Sequence, residues 1–183
     1  MRVSIGGDHA GPALKKVLTE HLESQGVEVI NRGTDSLESV DYPDHAHAVS
    51  EDVANGSVDF GILICGSANG VAMTANKHQS VRAGLAWNSE VAKLVKQHNN
   101  ANVLCIPARF VTEGEGLDIL KAYMEEEFEG GRHERRVNKI ACAVALCLLS
   151  LIPSVQVLAQ VADPQPFAST ILAGDLENHL MVL

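Results

Sequence analysis

The hydrophobic positions fall into a repeating pattern of short runs and longer periodic stretches. Arg2 to Gly6 reads as a first strand. Pro12 to Gln25 carries Leu14, Val17, Leu18 and Leu22, spaced 3, 1 and 4 apart. These share one face of an amphipathic helix, with Pro12 in the first turn and Gly26 as the C-cap. Val27 to Ile30 is a second strand, and Ala46 to Asn55 a helix with Asp44 as candidate N-cap. Phe60 to Ile64 is apolar and rich in β-branched residues, without polar alternation, as expected of a strand buried on both faces. It runs into Cys65, a small turn over Gly66 to Gly70, and a segment able to be helical. Further strands are expected at Val81 to Trp87 and Val103 to Ile106, and helices at Ser89 to His98, Thr112 to Phe128 and from about Arg132.

Strand and helix alternate through five strands. This predicts an α/β fold, a Rossmann-like three-layer αβα sandwich on a five-stranded parallel sheet, covering residues 1–140. Ligands in such sheets bind beyond the carboxyl ends of the strands, near the point where strand order reverses. Residues 141–183 break the pattern. From Ile140 to Val161 there is no charged residue, and Pro153 interrupts the run. Lys139, the apolar stretch and Val157-Leu158-Ala159-Gln160 together look like a secretory signal peptide in the wrong place. The favoured reading is fusion with a neighbouring reading frame. The alternatives are a helix packed on a partner subunit and a membrane anchor, the last disfavoured by Pro153.

Charge narrows the function. The formal net charge of the 183 residues is −9, which argues against a general nucleic-acid binder. Such a chain can still bind an anionic substrate where its few arginines converge. Cys65, Cys105, Cys142 and Cys147 form neither a CxxC pair nor a zinc-like pattern with histidine, so no disulfide framework and no metal is expected. The amino terminus enters a strand at once, which fits a cytoplasmic protein.

The candidate chemistry is placed by those strands. Asp8 and His9 follow the first strand, Cys65 the third and Arg109 the fifth, while His98-Asn99-Asn100 closes the fourth helix; all are expected on one edge. At Cys65 a following helix terminus would lower the thiol pKa and favour thiolate. Each residue also has a structural reading: Cys65 as a buried small hydrophobe, Asp8 as a helix cap, His98 as a cation at a helix end, and Asn99 and Asn100 as a left-handed cap. Gly6-Gly7-Asp8-His9-Ala10-Gly11 is not a dinucleotide fingerprint, and the turn after Cys65 lacks the Lys-Ser/Thr of a P-loop.

Taken together, Gly7-Asp8-His9-Ala10-Gly11, Asp41-Tyr42-Pro43, Cys65-Gly66-Ser67, Ala75-Asn76-Lys77, His98-Asn99, Asn102-Val103-Leu104 and Gly130-Gly131-Arg132-His133 with Arg136 resemble the ribose-5-phosphate isomerase B family, which includes galactose-6-phosphate isomerase subunits. The resemblance implies interconversion of ribose 5-phosphate and ribulose 5-phosphate through an enediolate, without metal or cofactor. It implies Cys65 as the base and Ser67 as a hydroxyl handling oxygen protons. His98 would open the sugar ring with Asp8 near it, and Asn99 would assist an anion hole made by Gly66, Ala68, Asn69 and Gly70. It further implies His9, Tyr42, Arg109, Arg132 and Arg136 at the substrate, and a homodimer or dimer of dimers with shared sites. A six-carbon sugar phosphate and a non-catalytic sugar-phosphate sensor are the alternatives. The family commonly has glycine where this chain has Ala68; if that position needs a positive φ, Asn69 is the residue expected to take over the turn.

Overall fold

The structure is a computed structural model, and it describes residues 1–141. Apart from Ala141, the atypical extension therefore lies outside the described residues. Five strands, β1 (Arg2–Gly7), β2 (Glu28–Asn31), β3 (Phe60–Cys65), β4 (Ala83–Leu85) and β5 (Val103–Pro107), form a single sheet in the order β2-β1-β3-β5-β4. Every pairing is parallel. The helices are α1 (Pro12–Ser24), α2 (Tyr42–Ala54), α3 (Asn69–Ala75), α4 (Ser89–Asn99), α5 (Glu113–Met124) and α6 (Gly131–Val137).

The side-chain period of a strand divides the core in two. Ile62 and Ile64 of β3 face a layer with Leu14, Leu18 and Leu22 of α1 and Ile119, Leu120 and Tyr123 of α5. Leu63 and Cys65 face the opposite layer, with Ala46 and Val49 of α2 and Val71 and Ala75 of α3. All six residues of β3 are buried, which explains its unbroken apolar sequence. The expected three-layer α/β sandwich is thus the observed one. Strand order reverses between β1 and β3, so the ligand-binding crevice of such a sheet falls beyond Gly7 and Cys65.

Several element ends differ from the expectation. Helix α2 starts at Tyr42 behind Asp41, not at Ala46 behind Asp44, because Pro43 suits a first helical turn. Strand β4 keeps only Ala83–Leu85, and the flanking Trp87 is exposed. Helix α5 stops at Met124, where the run Glu125-Glu126-Glu127 offers no apolar face to continue it. Its start is a full capping box, in which Thr112 Oγ1 accepts from the Glu115 N–H and the Glu115 carboxylate accepts from the Thr112 N–H.

Candidate active site

The switch point is built by close approach of two backbones. The Asp8 N–H donates to the Ile64 carbonyl at 3.2 Å, and a Cβ on Gly7 would stand 2.2 Å from that same oxygen. Only glycine lets β1 end this close to β3. The consequence is a contact across 57 residues of sequence: Cys65 Sγ donates to Asp8 Oδ2 at 2.9 Å. Asp8 is held from its other side, where Oδ1 accepts from the Ala10 N–H at 2.9 Å. Both residues are buried, Asp8 at 6% and Cys65 at 8% exposure.

This environment reverses the expected direction for the thiol. Burial first, then the hydrogen bond to Asp8 and its negative charge, push the Cys65 pKa up to about 11. The backbone N–H groups of Ala68 and Gly66 pull it the other way and are outweighed. The resting residue is a thiol, not the readily formed thiolate that the helix terminus alone suggests.

The turn after Cys65 contains a second correction. Ala68 itself adopts φ 59°, the left-handed conformation, and Asn69 begins α3. Ala68 is fully buried, so packing holds it where isolated alanine loses about 1 kcal/mol. Around this turn stand more of the expected residues. The Tyr42 ring occupies the space a Cβ on Gly70 would need, at 2.5 Å. Arg109 lies over Gly66, where a Cβ would meet its Nε at 3.2 Å, and the Arg109 N–H donates to the Gly66 carbonyl. Ser67 and Asn69 are exposed and line a cavity of about 370 Å³ with Leu85, Trp87, Pro107 and Phe110. His9 Nδ1 is buried with no hydrogen-bond partner among the described residues, a polar atom that a bound ligand could satisfy.

The rest of the expected set is elsewhere. Helix α4 returns the chain from the carboxyl end of β4 to the amino end of β5, so His98 and Asn99 sit at the opposite edge of the sheet. The β3–β5 register runs from Gly61 opposite Val103 to Cys65 opposite Pro107. Four residue steps, roughly 13 Å of strand, therefore separate the two edges. Within one chain Asp8 touches Cys65 and is not beside His98, contrary to the single-edge expectation. Asn100, not Asn99, takes the left-handed cap at φ 47°.

At this second edge the His98 ring stacks on His133, with centroids 4.1 Å apart and planes 6° from parallel. Arg132 Nε donates to His133 Nε2 at 3.1 Å, and the Glu129 carboxylate lies 3.4 Å from the same nitrogen. Burial first, then the adjacent His98 and Arg132, lower the His133 pKa and favour the neutral ring that accepts this bond. His98, Asn99, His133, Arg136 and Val137 line a cavity of about 330 Å³. The sequence reading gave no role to His133 or Glu129; the placement of His133 directly after Arg132 was the available signal.

His98, Glu129 and His133 could be considered as metal ligands, since their donor atoms lie within 4.8 Å of one another. Parallel stacked rings point their in-plane lone pairs side by side instead of at one ion, and Arg132 occupies His133 Nε2. A larger cavity of about 720 Å³ between α1 and β2 is lined by Pro12, Lys15, Lys16, Asn31 and Asp35. Its buried cation is already committed: Lys15 Nζ meets Asn31 Oδ1 at 2.9 Å, the Thr34 carbonyl at 2.7 Å and Asp35 Oδ1 at 2.7 Å. Among the described residues no helix is long and apolar enough to cross a membrane.

A parallel α/β sandwich with a buried acid–thiol pair at its switch point and arginines on a separate helix defines a small-molecule enzyme class, not a structural module. Comparison with known proteins gives the family. The Ribose/Galactose Isomerase family model matches residues 3–140, and the chain belongs to that family. The probable ribose-5-phosphate isomerase B of Mycoplasma genitalium is 44% identical over 140 residues, covering 75% of this chain and 92% of that protein. Ribose-5-phosphate isomerase B of Escherichia coli is 43% identical over 143 residues, covering 76% and 93%. Among solved structures, the Mycoplasma genitalium enzyme with bound ribulose 5-phosphate has a TM-score of 0.74 at 44% identity, covering 76% of this chain and 93% of that one. The Thermotoga maritima ribose 5-phosphate isomerase has a TM-score of 0.75 at 40% identity, covering 76% and 97%.

Proposed function

We propose that this protein interconverts ribose 5-phosphate and ribulose 5-phosphate, with Cys65 as the base that moves the proton between C2 and C1. The observation that carries the proposal is the Cys65–Asp8 pair at the switch point, at 2.9 Å and buried. A sulfur there stands beside a turn whose backbone N–H groups, Gly66 to Gly70, are suited to an enediolate oxygen. Ser67 handles the oxygen protons from the exposed side of the same turn. Asn99 assists the anion hole, and His98 opens the ring. His9, Arg109, Arg132 and Arg136 hold the phosphate, and Tyr42 lines the sugar. The identities of the relatives, 44% and 43%, support the same substrate.

This reading requires two copies of the chain. His98, Asn99, Arg132 and Arg136 lie at the edge opposite Cys65, so no single chain holds base, ring-opening histidine and phosphate clamp together. A two-fold pair placing the amino edge of one chain against the carboxyl edge of the other completes two sites at once. The exposed Trp87, at 55%, and Phe110, at 73%, beside the Cys65 edge supply apolar surface for such a contact. The test is a panel of aldose and ketose phosphates, five- and six-carbon, assayed with and without chelator. Highest kcat/KM on ribose 5-phosphate, unchanged by chelator, is expected. Strict metal dependence or a preference for a six-carbon sugar would overturn the assignment.

A further inference from the structure

Cys65 is the proposed base, yet the structure holds it as a thiol that donates to Asp8. The proton must leave sulfur before sulfur can take one from carbon. We infer that Asp8 is the residue that accepts it, so that Asp8 and Cys65 work as one pair sharing a single proton. The inference rests on the proposed role of Cys65.

The geometry restricts the choice of acceptor. Sγ donates to Asp8 Oδ2 at 2.9 Å, and this is the side-chain acceptor the thiol uses. Asp8 Oδ1 is fixed by the Ala10 N–H, so the carboxylate cannot swing away without losing that bond. The backbone of β1 locks the same residue through the Ile64 carbonyl and the Gly11 N–H, which donates to the Asp8 carbonyl at 3.0 Å. His98, the other base in the expected set, comes to the proposed site from the second chain and is committed there to ring opening, whereas Asp8 already holds the thiol within its own chain. Cys105, the neighbouring thiol, is fully buried, and its own pKa is pushed up by burial, so it offers no base.

The steps balance without any added reagent. The S–H bond of Cys65 breaks and an O–H bond forms on Asp8 Oδ2, giving a thiolate beside a carboxylic acid. The thiolate takes the proton from C2 of the open-chain sugar, the C–H electron pair enters the enediolate, and the N–H groups after Cys65 receive its charge. The Ser67 hydroxyl takes the proton from O2 and gives one to O1, so the C2 oxygen becomes the carbonyl, and the sulfur returns the carbon proton to C1. Asp8 then gives its proton back to sulfur. Asp8 acts through Cys65 and is a positioning residue. It withholds the thiolate until a substrate is present, because the same carboxylate that accepts the proton repels the negative sulfur in the empty site.

This gives a crossed test that a structural role would not pass. Asp8→Asn keeps the shape and the Oδ1 acceptor for Ala10, removes the negative charge and can no longer take a proton. Alkylation of the Cys65 peptide by iodoacetamide, followed by mass spectrometry from pH 7 to 11.5, reads the thiolate directly. In Asp8→Asn the inflection is expected to move down from that of the native enzyme, with alkylation at pH 8 about tenfold faster, since more thiolate is partly offset by its weaker nucleophilicity. At the same time kcat is expected to fall on the order of 100-fold or more. More thiolate with less turnover is the signature. An unchanged or raised inflection, or turnover within about twofold of native, would overturn the inference. Asp8→Ala is measured in parallel with a melting curve for each variant, and the same two opposite shifts are required of it. Cys65→Ala separates the two claims: if it retains native turnover, the base reading has failed, whereas an inactive Cys65→Ala with a fully active Asp8→Asn leaves the base in place and removes Asp8.

Discussion

The two edges of the sheet hold different kinds of site. At the carboxyl edge everything is fixed by backbone. Gly7 lets β1 approach β3, Asp8 is held by three hydrogen bonds of its own main chain and side chain, and Cys65 is 8% exposed. At the amino edge the charged atoms are on the long, exposed side chains of Arg132 and Arg136 in the seven-residue helix α6, beside the half-buried His98 in the last turn of α4. One edge holds its sulfur against a carboxylate that the backbone fixes, and Arg109 is the expected phosphate-binding arginine on that side. The other has charge, in Arg132, Arg135, Arg136 and Lys139, but no buried acid–base pair. Proton transfer from carbon needs the first quality, and capture of a mobile dianion needs the second. In the proposed pairing, joining the edges of two copies supplies both.

The comparison makes unequal predictions for the two edges. Removing the sulfur should hurt chemistry most. Cys65→Ala is expected to lower kcat by about 10³-fold or more while inorganic phosphate still competes for the site, as read by steady-state kinetics and phosphate inhibition. Arg132→Ala/Arg136→Ala should act on binding: KM rises about 100-fold, with a smaller change in kcat, because charged hydrogen bonds to phosphate are lost in ground and transition state alike. If the double arginine variant lost kcat with KM intact, the division of labour between the edges would be wrong.

Smaller effects test the frame behind the carboxyl edge. Arg32 clasps Asp52 of α2 with Nε to Oδ2 at 2.8 Å and a second bond to Oδ1 at 2.9 Å, and buried Ser4 Oγ donates to Oδ2 at 2.7 Å. The Arg32 hydrogen bond first, and that from Ser4 after it, hold the Asp52 carboxyl below its ordinary range against the opposing cost of burial. A depressed folded pKa stabilises the protein fully above about pH 4 and is lost as the pH falls through the folded value. Asp52→Asn is expected to cost about 1–2 kcal/mol at pH 7 in urea melts, a modest figure because Arg32 is 44% exposed, and to flatten the acid limb below pH 4. An acid limb identical to native would remove Asp52 as its source. Ala68→Gly should raise stability by up to about 1 kcal/mol at φ 59°, offset in part by the freer unfolded chain, and a loss of more than 1 kcal/mol would mean the Ala68 methyl packs better than its strain costs.

Much of the fold was legible because the burial pattern is simple. The apolar run of β3 and the face of α1 carry their periods openly, and the residues that follow β1, β3 and β5 fall where a parallel sheet puts ligands. Two parts of the site were not legible, for different reasons. The thiol environment depends on Asp8, 57 residues away, and no local feature of Cys65 reports that contact. The helix terminus was a correct local influence, but a distant carboxylate and burial outweigh it. The separation of His98 from Cys65 follows from chain direction: a helix between parallel strands ends at their amino edge. Closeness in sequence to strand five does not carry its end to the carboxyl edge. Trp87 and Phe110 were obscured because a large apolar side chain normally signals core, and only their 55% and 73% exposure shows otherwise.

The central claim is that each working site takes its sulfur from one chain and Arg132 and Arg136 from another. Cys65→Ala protein and Arg132→Ala/Arg136→Ala protein, each inactive at low substrate, are mixed in equal amounts under conditions where subunit exchange is followed by mass spectrometry. Mixed dimers regain one intact site of two, so about a quarter of native activity is expected at full exchange. Activity no greater than the sum of the parents, with exchange demonstrated, would place the arginines in the same chain as the cysteine they serve.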